Sequence, residues 1–190
     1  ASSLAFAKAS SPLGRVDTWK YVDGVKLSYR QSSTYYFAGL SGKGHEIADY
    51  TLNYSSNDDN NESTHTDELN RTYNFYEIES TGDKVRAANV SSQYTDAAMS
   101  WTENWIYPED GSSHYLLSAS EYYTGMGKGN EVLAAGYTYV RALAGSDPAA
   151  RTAPLGTEGQ TLRNETRYFY GEEGNIAPED VESLETPLGK

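Results

Sequence analysis

From Lys26 onward the chain alternates. Leu27, Tyr29, Tyr35 and Phe37 share one parity, set against Lys26, Ser28, Arg30 and Tyr36. That two-residue period is the mark of a half-buried strand. The segment from His45 to Tyr54 repeats it with Ala48, Tyr50, Leu52 and Tyr54 on one face. Leu69 to Glu79 sets Leu69, Tyr73 and Phe75 against Asn70, Thr72 and Asn74. Ser113 to Tyr123 and Glu131 to Leu143 read as a hairpin around the glycine-rich turn Gly125 to Asn130, and a last strand runs from Thr161 to Tyr170. Turns are predicted at Gly39–Gly44 and at Thr81-Gly82-Asp83, and a loop too polar to bury covers Ser55 to Asp67.

One stretch fits two periods. In Thr95 to Tyr107, Ala98, Trp101 and Trp105 have helical spacing with Asp96 as a cap, whereas Met99, Trp101, Glu103, Trp105 and Tyr107 alternate as a strand. The reading favours a short helix near 95–106. The whole predicts an all-β, mainly antiparallel fold, a β-sandwich or barrel of about seven strands. Residues 1–20 read as an extended arm, 21–171 as a single β-rich domain, and 172–190 as an acidic mobile tail. Leu4 and Phe6 would share one face of the arm if it were added to a neighbour's sheet edge.

Composition narrows the partners. The chain has 190 residues, a formal charge of −12 and no cysteine. Such a charge repels phosphate, so nucleic acid is not expected as a partner and anionic membrane surfaces are poor ones. No apolar run is long enough to span a membrane. Without cysteine there is no disulfide framework, thiolate metal site or thiol nucleophile. The start at Ala1 is read as a processed, exported protein, extracellular or at the cell surface.

Catalytic signatures fail at defining positions. Gly39-Leu40-Ser41-Gly42-Lys43 lacks the last glycine of a nucleophile elbow, and His45-Glu46-Ile47-Ala48-Asp49 has aspartate where a zinc protease needs its second histidine. Gly125, Gly127 and Gly129 precede a strand, not the helix that would receive a phosphate. Glu77 with Glu79, and Glu121 with Glu131 across the hairpin, are possible carboxylate pairs that read best as solvated acids. No cofactor is implied beyond a weak calcium candidate at Asp58, Asp59 and Glu62, which lacks the EF-hand spacing. Five sequons, at Asn53, Asn61, Asn70, Asn89 and Asn164, exceed the roughly two expected by chance and point to a glycoprotein.

The aromatics carry the functional expectation. The chain holds 17 tyrosines and 3 tryptophans, and Trp101, Trp105, Tyr107, Tyr122 and Tyr123 are the candidate ligand-binding or interface residues. The leading expectation is a secreted structural or surface-assembly domain that self-associates through edge strands. The alternatives are an extracellular module binding carbohydrate or a small ligand, then a small polysaccharide hydrolase or lyase.

Overall fold

A computed structural model describes residues 12–22, 25–38, 45–54, 68–90, 97–108, 113–143, 147–158, 160–170 and 176–181, with no account of the side chains at 20–22, 25–29 and 141–143. The chain is all-β. Nine strands form one antiparallel sheet: β1 (Arg15–Val22), β2 (Val25–Phe37), β3 (Ile47–Tyr54), β4 (Glu68–Ile78), β5 (Asp83–Arg86), β6 (Met99–Ile106), β7 (Tyr115–Tyr123), β8 (Val132–Leu143) and β9 (Leu162–Arg167). The sheet order is β1-β2-β3-β4-β6-β7-β8-β9, with β5 also paired to β4. Among the described residues the sheet does not close, and β1 and β9 are its edges.

β4 is the axis. Its first half pairs with β3, from Tyr50↔Tyr73 to Tyr54↔Glu68, and its second half with β5, from Phe75↔Arg86 to Ile78↔Asp83. β6 occupies its other side, so β3 and β5 lie end to end along one flank. Arg86 joins them. It is 7% exposed, and its Nε and Nη2 donate to the two Asp49 carboxylate oxygens at 2.8 and 2.7 Å. A planar guanidinium matched to a carboxylate in this way is the geometry that makes a buried ion pair tolerable.

The expected helix near 95–106 is absent: Met99–Ile106 is strand β6, and the described residues contain no α-helix. Strands β4 and β7 flank it and take up its backbone hydrogen bonds. The alternation of Trp101, Glu103 and Trp105 then buries all three on one face. Strands β1 and β5 were also not anticipated. Residues 15–20, read as part of the arm, belong to β1, and part of the supposed mobile tail is packed. Val181 is buried with Val132 and Tyr170, while Ile176 pairs with Tyr170. The turn after β4 closes as expected, with Gly82 at φ 72°, a left-handed conformation that suits glycine.

The two faces differ in chemistry. One, the ring face, carries the main core: Tyr73, Phe75, Trp101, Trp105, Leu116 and Tyr139, with Tyr50, Tyr107 and Tyr137 packed against them. The other, the hydroxyl face, carries threonine, serine and asparagine. A bulge at Ser100 changes the facing of β6, since Phe75 pairs with Trp101 but Tyr76 with Met99. Met99 thereby joins a second cluster with Ile47, Tyr76, Ile78 and Ala87 at one end of the hydroxyl face. Trp105 is fully buried at 0% exposure. Trp105→Ala should therefore cost about 3–5 kcal/mol of stability, read from urea denaturation. An unchanged midpoint would remove the indole from the core.

Candidate functional site

The densest chemistry lies at the centre of the ring face, around a carboxylate. Glu103 is 1% exposed. Trp101 Nε1 donates to its Oε1 at 3.2 Å, and Trp105 Nε1 donates to its Oε2 at 3.0 Å. The backbone N–H groups of Leu155 and Gly156 also donate to Oε1, at 2.5 and 3.3 Å. The segment 147–158 thus lies over the ring face, tied to one acid. The Tyr139 hydroxyl adds a second tie by donating to the Gly156 carbonyl at 3.1 Å, and Leu155 packs into the core. Burial pushes the Glu103 pKa up, while the bonds from Trp105, Leu155, Gly156 and Trp101 pull against it; the net direction is upward.

Beside it, Glu121 opposes Trp101 across β6 and β7. It accepts from Lys84 Nζ at 2.9 Å and from the Tyr137 hydroxyl at 2.9 Å. Burial pushes its pKa up, but Lys84 and Tyr137 outweigh this and hold it below the ordinary carboxyl value. Tyr137 is pushed up to about 12, by burial and then by Glu121. Tyr137 stacks on Trp101 at 5.4 Å between centroids, and Lys84 Nζ sits 5.0 Å from the Trp101 ring.

Rings and cations continue toward β1. Tyr73 and Tyr107 share a hydroxyl bond of 2.7 Å. Arg71, paired with Glu68 at 2.6 Å, lies 4.5 Å from the Tyr107 ring and 5.7 Å from the Tyr50 ring. Tyr50 stacks on Tyr35 at 4.6 Å, and Arg15 lies 6.0 Å from Tyr35. Arg86 sits 4.3 Å from the Tyr73 ring, and His114 lies 4.1 Å from Tyr107. A bulge at Gln31, between the pairs Thr18↔Ser32 and Trp19↔Arg30, turns Arg30 onto this face beside Asp17, Ser33 and Tyr54. Each ring in the series therefore already has a ring or cation against it.

This arrangement holds structure more readily than it does chemistry. Both Glu103 oxygens are engaged by donors and enclosed, which removes it as an acid reaching a substrate. Glu121 and Glu131 do not face one another: Glu121 pairs with Ala135, and Glu131 accepts from the Met99 backbone N–H at 2.9 Å. The hairpin register, with Tyr123 opposite Val132, keeps them apart. Glu77 instead accepts from Thr124 at 3.2 Å, while Glu79 is exposed. Among the described residues no group of three or more metal-ligating side chains forms.

The sequence candidates are scattered. Trp101 and Trp105 are buried, and Tyr107, Tyr122 and Tyr123 are half-buried. Asn89 and Asn164 are exposed, whereas Asn53 donates to Asn70 at 2.7 Å and both are half-buried. Leu4, Phe6, Asn61, Asp58, Asp59 and Glu62 lie outside the described residues. Glu103, Arg71 and Arg86 were not singled out from sequence, and Glu121 was named only as a possible partner of Glu131. The pattern Trp101-x-Glu103-x-Trp105, an acid between two indoles on one strand face, was the available signal.

The two acids bear on stability with opposite signs. Glu103, raised in the fold, contributes most at low pH and loses that contribution as pH rises through its native value; Glu121, lowered, contributes above its ordinary value of 4.5 and loses that as pH falls. Denaturation of Glu121→Gln across pH should show less loss of stability below pH 4.5 than the parent shows. Glu103→Gln puts an N–H donor among donors, and should cost about 1–3 kcal/mol at neutral pH for each backbone N–H left unpaired. Equal stability of variant and parent would mean that the four bonds do not hold the covering segment. No protein-family model matches the chain, no curated protein matches it, and no solved structure matches it.

Proposed function

We propose that this chain is an extracytoplasmic structural domain that joins copies of itself through its sheet edges, with the β1 edge as the receiving site. The observation that carries this is the start of β1, where among the described residues no strand pairs with the outer side and the pairing to β2 is regular from Arg15 to Thr18. The Tyr36 N–H donates to the Gly14 carbonyl at 2.9 Å. Antiparallel alternation then turns the peptide groups of Arg15 and Asp17 away from β2. Their side chains fold onto the ring face, Arg15 beside Tyr35 and Asp17 accepting from Ser33 at 2.7 Å. Leu13 and Val16 are left 44% and 41% exposed at the same edge.

The opposite edge is guarded. On β9, Arg163, Glu165 and Arg167 are exposed, and charged edges resist strand addition. Asn164 sits on the same strand, where a glycan would block it further. The occupant proposed for β1 is the segment 1–11 of a neighbouring copy, added as a strand with Leu4 and Phe6 on one face. A carbohydrate platform is less favoured because the rings on the ring face already have partners, and a hydrolase is less favoured because Glu103 is enclosed.

Light scattering and negative-stain microscopy of the full chain should show concentration-dependent oligomers or filaments. Removal of residues 1–11, or Val16→Lys at the edge, should leave folded monomers. A parent that stays monomeric at high concentration overturns the reading; a truncated chain that still assembles overturns the arm.

A further inference from the structure

The hydroxyl face carries a two-dimensional array of short polar side chains outside the main core. One row starts where Thr34 opposes Thr51 and Thr51 opposes Thr72. Across β4 it continues, with Thr72 opposite Asn104, Asn104 opposite Ser118 and Ser118 opposite Thr138. It ends at Asn164, which opposes Thr138. A parallel row, one residue pair along, starts at Asn74, which is buried and donates to the Ala48 carbonyl at 3.1 Å, and runs through Thr102, Ser120 and Gly136, where the Tyr168 ring lies close, to Thr166. Neither row contains a charge or an aromatic ring, in a chain whose residues are 22% charged.

Three physical features define what such a face can recognise. First, the spacing is periodic in both directions, about 4.8 Å between strands and about 6.8 Å between alternate residues along one. Second, every side chain in it except Gly136 is both donor and acceptor. The matching partner is therefore donor and acceptor everywhere, with no net charge. Third, lateral bonds fix several side chains in advance: Thr34 to Thr51 at 2.9 Å and Asn164 to Thr138 at 3.3 Å.

We propose that the hydroxyl face binds the ordered surface of crystalline water. The short side chains present hydroxyls, amides and threonine methyls without the rings on which sugars stack. They also lack the apolar and aromatic anchors on which protein interfaces depend, where serine is depleted. Neither row carries a charged group, which would impose its own hydration on a water lattice.

The test is partition of the full chain into slowly grown ice, together with microscopy of single ice crystals held just below the melting point. The parent should enter the ice and shape or arrest the crystals. Thr72→Lys, on β4, and Thr138→Lys, three strands further along the row on β8, should each be left in the liquid with unchanged circular dichroism. Glu165→Gln, on the ring face, should behave as the parent does. Two variants guard against misfolding of either one. A parent excluded from ice overturns the proposal. So does a parent that ignores ice but sediments with crystalline cellulose or chitin, which would assign the face to a hydroxylated polymer.

Discussion

A single buried carboxylate holds the middle of this protein together. Glu103 lies under the segment 147–158, and that segment reaches it through backbone N–H groups of Leu155 and Gly156. An ionised group taken out of water is costly unless hydrogen bonds replace its hydration. Here the two neighbouring indoles and the covering segment supply them. The same bonds give Trp101 and Trp105 partners for their only polar atoms, so both rings can be core residues. Acid, indoles and cover are therefore one unit: without the acid, two indole N–H groups and two backbone N–H groups would be buried together without an acceptor.

The net charge of −12 describes the chain and hides its arrangement. Arg71, Arg86 and Lys84 are folded inward on the ring face, each beside an acid and an aromatic ring. The hydroxyl face has no ions in its central rows. Acidity is thus left to the rest of the surface, where it keeps copies soluble and apart. Bulges make this sorting possible. Gln31, Asp49 and Ser100 each shift a strand by one residue, moving Arg30 to the ring face, freeing Asp49 for Arg86, and turning Met99 to the other side.

The strands that were legible in sequence are those with long uninterrupted alternation. β2, β3, β4, β7 and β8 fall within a few residues of where the pattern put them, because each is eight or more residues long and has room for the alternation to show. β5 is four residues long and was invisible, since alternation needs more positions than it has. β6 was misread because two tryptophans four apart satisfy either period, and only its neighbours β4 and β7 decide between them. The site was less legible than the fold. A pair such as Arg86 and Asp49 lies 37 residues apart in sequence, and no local pattern links them.

The amino-acid sequence by itself determined the class of this protein: an acidic, cysteine-free, tyrosine-rich chain whose prevailing two-residue period builds antiparallel sheet. These are local properties, since alternation and turn chemistry act between residues near in the chain. Tertiary structure alone decided what stands opposite what. Cross-strand register turned scattered threonines, serines and asparagines into continuous rows, and set an acid between two indoles beneath a distant segment. Register depends on bulges and on long-range pairing, and one residue of slip would send every side chain of a strand to the other face.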